Sequence, residues 1–377
     1  MAVRLADVLT LLDRIAPLRF AEPWDNVGLL VDPTSSSTLG VSRAFLTIEL
    51  SDDVLGEAVE RRAELIIAYH PPIFSGLKRL RQRNPEERVV LQAIRAELPV
   101  YSPHTALDAA PGGVNDWLAS VLGRGRVEPL LRSAVGAAEL KLVVFVPADR
   151  ADALRNALSE EAGAGVIGNY SHCSFNLLGR GTFWGNDQAN PQVGQRGHLE
   201  SVDELRMEMV CDRKALPRVA EVIHRVHPYE EPAWEAYPLE PTAPPGFGMG
   251  RLLTLDEPAP LSALVDRVKR GLGLAHVRVA ASRRHREGLP LRTAAVCAGA
   301  GGSLFEKAPP ADLYLTGEMR HHDVRARVAA GHTVILCEHT NTERGYLPLY
   351  AQRIVEASGG ALKVILSSRD RDPFETV

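Results

Sequence analysis

The sequence predicts an α/β fold: a two-segment α/β body interrupted by an inserted α+β domain of ferredoxin-like βαββαβ order. Three observations predict it. Strand-like and helix-like runs alternate through residues 43–123, as repeated βα units do when helices cover the faces of a sheet. Gly/Pro-rich stretches, GRGRVEP (123–129) and PTAPPGFGMG (241–250), bracket a middle piece with a different order of elements. The first style then resumes after residue 250. The expected division is therefore 1–129 and 243–377 for the body and 130–242 for the insert.

The opening helix follows from Leu5, Val8, Leu9, Leu12 and Ile15, which recur near a 3.6-residue period. SRAFLTIEL reads as a strand, DDVLGEAVERRA as a helix capped by Ser51 or Asp52, and ELIIAYH as a buried strand ending in His70. PEERVVLQAIRAE, LPVYSPH and GGVNDWLASVLG continue as helix, strand and helix, the last closed by Gly123. Within the middle piece, KLVVFVP is a strand and DRADALRNALSEEAG a helix. YSHCSFNLLGRGTFWG and SVDELRMEMVC are strands, KALPRVAEVIHRVHP a helix and AWEAYPLE a strand, the split unit of ferredoxin-like folds. LSALVDRVKRGLG then reads as a helix, and RTAAVCAG, ADLYLTG and TVILCEH as strands.

The 377 residues suggest two to three domains at about 150 residues each. With 45% hydrophobic and 24% charged residues, the chain is an ordinary globular protein rather than a disordered or disulfide-built one. Its formal charge of −4 gives no electrostatic case for nucleic acid or an anionic membrane. No apolar run approaches the roughly 18 residues that cross a bilayer. Four widely spaced cysteines without a CxxC pair point to a reduced, cytoplasmic setting.

Histidines and carboxylates gather at strand ends. His70 closes ELIIAYH, His104 and Asp108 follow PVYSP, Glu318 with His321 and His322 follows LYLTG, and His339 with Glu343 follows VILC. Ligands of open α/β sheets bind outside the carboxyl ends of the strands, so these groups can converge. Imidazole and carboxylate without thiolate suit zinc, manganese, iron or cobalt. A single strand-end His is more often a hydrogen-bonded core residue than a ligand; four clusters at equivalent places shift that balance toward a metal site. His339 and Glu343 stand at i and i+4, on one face of a helical turn, where Glu343 would equally suit the start of a capped helix.

Other features carry two readings each. The strand-to-turn segment AVCAGAGGS (295–303) either offers amides to an anion or makes a tight turn. The basic run Lys78, Arg79, Arg81 and Arg83 is a solvated face or a phosphate contact. His172, His227, Glu230 and Glu231 in the middle piece are surface residues or a second small site.

AEPWDNVGLLV, AYHPPIFSGLKRL, VYSPHTALDAAPGGVNDWLA, DLYLTGEMRHHD and CEHTNTERG strongly resemble the Ngg-one-interacting-factor-three-like family, also known as GTP cyclohydrolase 1 type 2 homologues. The likeness covers residues 1–125 and 246–377 in order. YSHCSF, GTFWG and HPYEEPAW look like the PII/CutA-like insert of many bacterial members, while YHPPIF, SPHTALDAAP and EHTNTERG look more like eukaryotic members. The resemblance implies two metal ions per subunit and a hexameric ring. Its ligand pattern falls on His70, Asp108, His339 and Glu343. One departure stands out: the first His of the family's His-His pair is Tyr69 here. A phenol with pKa about 10 is a poor ligand unless its proton is stripped. One ion is then held more weakly, or His104 or Tyr69 itself fills the gap, so one or two ions per subunit are expected.

Two functions follow. In the first, the chain is a metal-dependent hydrolase acting on a nucleotide or other phosphate-bearing molecule, with Glu318, His321 and His322 transferring protons or touching substrate. In the second, it is a metal-holding regulatory ring whose insert senses a metabolite or recruits a protein partner.

Overall fold

The computed structural model describes residues 2–33, 39–133, 140–168, 170–239 and 245–375. The chain divides into two compact units, residues 1–133 with 244–377, and residues 134–243.

The first unit contains two larger sheets. One has the spatial order Lys363–Leu366, Arg43–Thr47, Leu65–Ala68, Val100–Ser102 and Gly28–Val31; only the last strand runs antiparallel to its neighbour. Leu65–Ala68 is buried at every residue, as expected of a central parallel strand with both faces covered. The other sheet has the order Arg278–Ala280, Thr333–Leu336, Leu313–Glu318, Leu291–Ala300, Gly248–Ala259 and Gly125–Arg132. Its three middle members, from Thr333–Leu336 to Leu291–Ala300, are parallel. Residues of both sheets (Leu46 and Ile67, Val296 and Leu315) share one buried core with Leu5 and Leu12 of the helix Leu5–Ile15, Leu118 of Val114–Leu122 and Tyr350 of Leu347–Ala357.

The glycine-rich run at 123–129 is not a linker. Its second half begins the edge strand Gly125–Arg132, which pairs with Gly248–Ala259, so residues 130–132 belong to the body and not to the insert. Glycine is needed at 125, where a Cβ would lie 2.1 Å from the Thr254 carbonyl oxygen. Pro129 is tolerated because the strand is at the sheet edge. The second expected joint, at 242/243, lies outside the described residues.

The second unit is an antiparallel sheet in the order Trp234–Pro238, Leu140–Val146, Leu199–Cys211 and Phe175–Trp184. Helices Ala151–Ala162 and Leu216–Val226 pack Leu154, Leu158, Val219 and Ile223 against Leu142, Val144, Met207 and Met209.

Candidate metal centre

The parallel strands deliver their carboxyl ends to one place. Beyond Arg43–Thr47 and Leu65–Ala68, the backbone stays paired: the His70 amide donates to the Ile48 carbonyl at 3.0 Å, which sets Glu49 beside His70. His70 Nδ1 lies 2.6 Å from Glu49 Oε1. After Thr333–Leu336 comes the short turn Thr340–Thr342, flanked by His339 and Glu343. The Thr342 hydroxyl holds this turn by donating to the His339 carbonyl at 2.6 Å and accepting the Gly299 amide at 2.8 Å.

His70, His339 and Glu343 each offer one donor atom, and these atoms lie within 4.8 Å of one another. His339 Nε2 is 3.4 Å from Glu343 Oε1, and His70 Nε2 is 3.3 Å from Glu343 Oε2. Glu343 Oε2 is nonetheless buried without a hydrogen bond. That oxygen has only the His70 imidazole, 3.3 Å away, to answer its charge, and a divalent cation is the further partner this donor set suits.

The imidazoles share a second feature. Nδ1 of His70 faces Glu49, Nδ1 of His104 lies 2.7 Å from Asp25 Oδ1, and Nδ1 of His339 lies 3.6 Å from Glu318 Oε2. Carboxylates on the far nitrogen fix the ring orientation and raise the basicity of the near one, as around bound metals. Asp25 also accepts from the Thr105 hydroxyl and amide. Burial opposes the charge of Asp25 and Glu49, but the hydrogen bonds they receive outweigh it and hold both below the usual carboxylate range.

Tyr69 and Asp108 form a buried pair beside this group. The Tyr69 hydroxyl donates to Asp108 Oδ1 at 2.5 Å. Burial first, and then the Asp108 and Glu343 charges, push the phenol well above its ordinary value, so Tyr69 is a neutral donor here. Burial lifts Asp108 to about 6, against the pull of His104 and the phenol. His104 packs edge-on to His70 with ring centres 5.4 Å apart, on a backbone strained to φ +27°. Asp108, His104 and Tyr69 thus surround the three-donor group without belonging to it.

A cavity of about 1020 Å³ opens over these residues; Glu318, Lys307, Arg371, Trp24, Phe74, Met249 and Leu304 are among its lining. His321 and His322 are exposed at the start of the helix His321–Ala329 and do not line it. Neither does the basic run: Lys78, Arg79, Arg81 and Arg83 are solvent-exposed, and Arg81 is taken by Glu87. The Gly299 and Gly301 amides go to Thr342 and Thr316, which leaves neither for an anion. In the insert, His227 spends Nε2 on the Phe145 carbonyl, and His172 is exposed 3.8 Å from Glu160. Sequence reasoning missed Glu49 and Asp25. Glu49 follows a strand as His70 does, so the strand-end rule would have found it; Asp25 sits in a loop and carries no such signal.

One pH dependence follows. Burial lowers the His70 proton affinity, but Glu343 and Glu49 outweigh it and raise the group to about 10. A metal needs the neutral imidazole, so binding releases one proton at every pH below that value. Metal affinity is therefore expected to rise about tenfold per pH unit between pH 6 and 8. Competition against an indicator of known proton affinity measures this; a flat profile would remove His70 from the ligand set.

Residues 3–373 match the model of the Duf34/NIF3 (NGG1p interacting factor 3) family. The chain belongs to this family. It is 37% identical to NIF3-like protein 1 of Rattus norvegicus, over 99% of this chain and 93% of that protein. It is 35% identical to a GTP cyclohydrolase 1 type 2 homolog of Mycobacterium leprae (strain TN), over 99% of this chain and 96% of that one. Among solved structures, a Bacillus cereus protein related to NIF3 superposes with a TM-score of 0.67 at 31% identity, covering both chains completely. Membership in the NIF3 family is what the motifs around His70, Asp108, His339 and Glu343 had indicated.

Proposed function

We propose that this chain is a metal-dependent hydrolase acting on a nucleotide or other phosphate-bearing small molecule. The observation that carries the reading is the buried Glu343 carboxylate, one oxygen without a hydrogen bond, set between two imidazoles in a cavity of about 1020 Å³. His70, His339 and Glu343 would hold a divalent ion: zinc, manganese, iron or cobalt. Such an ion, when bound, lowers the pKa of a coordinated water and polarises a substrate oxygen. A second ion beside Asp108 and His104 has to compete with the Tyr69 hydroxyl for Asp108, so one tight ion per subunit is the expected content.

The chain's own residues do the rest. Glu49 keeps the His70 Nδ1 side occupied, so its Nε2 faces Glu343. Glu318 is half-exposed on the cavity wall and available to take up or return a proton. Lys307 and Arg371 give the cavity its positive charge for an anionic substrate. The name of the Mycobacterium leprae relative makes GTP the first substrate to try. Incubation of metal-loaded protein with GTP and other nucleotides, followed by chromatography of the products, tests the reading. Turnover abolished by chelation and restored by metal is expected; a fully loaded protein that leaves every nucleotide intact would overturn it.

The same proposal takes the insert as ferredoxin-like and PII/CutA-like, supported by its strand order, and the assembly as the homohexamer implied by the family resemblance. It takes the location as cytoplasmic, supported by four free cysteines. No helix among the described residues is long and apolar enough to cross a membrane. A second reading, a metal-holding ring that recruits a protein partner, is favoured by one feature of the insert: Phe175, Leu178, Trp184 and Leu199 leave large apolar side chains exposed on neighbouring strands.

A further inference from the structure

We propose that Trp24 and Phe74 form a stacking wall for a planar heteroaromatic ring, so that the cavity selects base-bearing ligands over base-free phosphates. This rests on reading the cavity as the substrate site and specifies its substrate class. Both rings line the cavity, with centres 6.0 Å apart and a tilt of 50°. Each also meets the His104 imidazole edge-on, at 6.2 and 6.4 Å, which places the wall next to the metal group.

Folding does not account for these rings. Trp24 is 59% exposed and Phe74 55%, and neither packs into any hydrophobic core among the described residues. What the fold does secure is their neighbours. Asp25, after Trp24, is bound to His104 and Thr105. Asn26 Nδ2 donates to the carbonyl of Ile73, the residue before Phe74, at 2.5 Å. The two loops are thus cross-tied at the point where they carry the rings. The backbone is fixed while more than half of each side chain stays exposed, the arrangement that lowers the ordering cost of binding a flat ligand.

The rest of the lining agrees. Lys307 and Arg371 make no ion pair among the described residues, so they are available to an anionic group on the same ligand. Stacking tolerates any base because every base presents a π face.

Calorimetric titration of the full-length, manganese-loaded protein with guanosine monophosphate, guanosine and ribose 5-phosphate tests this. Guanosine monophosphate is expected to bind at least about tenfold tighter than ribose 5-phosphate. Trp24→Ala and, separately, Phe74→Ala are expected to weaken guanosine monophosphate and guanosine about tenfold, with ribose 5-phosphate and metal content unchanged; Trp24→Phe should keep most of the affinity. Equal binding of the nucleotide and ribose 5-phosphate overturns the proposal, as does nucleotide affinity indifferent to both alanine variants. A Trp24→Ala protein with altered oligomeric mass and unaltered nucleotide affinity also overturns it, and assigns the rings to a contact between copies. Trp24-dependent guanosine binding without turnover of any nucleotide sustains the wall and refutes only the hydrolase.

Discussion

Glu343→Ala is expected to strip the protein of its metal, leaving about a tenth or less of the wild-type content after gel filtration. Glu343 is 3% exposed and is the member of the three-donor group that both imidazoles face. Without it, two neutral nitrogens remain, and the charge that offsets a dication is gone. Glu343→Gln keeps the shape and loses the charge, so it should be nearly as empty. The fold should survive in both, because the carboxylate makes no hydrogen bond through Oε2 and Glu343 belongs to no hydrophobic core cluster among the described residues. Asp108→Ala supplies the contrast. That carboxylate lies outside the group and already receives the Tyr69 hydroxyl, so its loss should cost metal less. Elemental analysis of the three variants decides: wild-type content in Glu343→Ala would move the ion to the Asp108 and His104 side.

Gly299→Ala is expected to damage the same site without touching a ligand. Gly299 has φ +63°, and a Cβ there would stand 2.8 Å from Glu343 Oε1 and 2.9 Å from His339 Nε2. Left-handed backbone alone costs an L-residue roughly 1–2 kcal/mol. The added methyl also pushes two donor atoms aside, and neither belongs to a flexible chain end free to swing away. Metal affinity should fall by about two orders of magnitude, a larger effect than the loss of melting temperature implies. Gly273→Ala separates the two causes, since that glycine has φ +68° with nothing within 4 Å. Equal metal affinities in the two variants would show that the crowding at Gly299 is harmless.

Much of this site was legible because parallel strands make a simple rule. A residue at or just past the carboxyl end of such a strand faces the crevice, and His70, Glu318 and His339 all stand there. The i, i+4 spacing of His339 and Glu343 brings Nε2 to 3.4 Å from Oε1, although the turn between them is only Thr340–Thr342 and not a full helix. His321 and His322 followed the rule in sequence but not in space, because the helix His321–Ala329 starts at once and carries both rings away from the cavity. Strands Gly248–Ala259 and Gly125–Arg132 were hidden by their own glycines and prolines, which the sequence presents as breaks. The glycines at 125 and 248 are there because backbone approaches backbone closely, a tertiary fact with no local signature. Asp25 was hidden for the opposite reason: it acts from a loop, through His104.

The edge of the five-stranded sheet has a consequence for biosynthesis. Strand Arg43–Thr47 takes Lys363–Leu366 as its parallel neighbour, and the Ile48 amide donates to Asp370 at 2.7 Å, a pairing 322 residues apart in the chain. During vectorial synthesis the first half of the body emerges with that flank bare, and the insert emerges before its cover does. The insert has its own hydrophobic core and does not have to wait; the early half-sheet does, with Phe45 and Leu46 on a strand whose outer hydrogen bonds have no taker. His70 and Glu343 cannot meet until the second half of the body has been made, so the three-donor group is completed only after the insert has emerged.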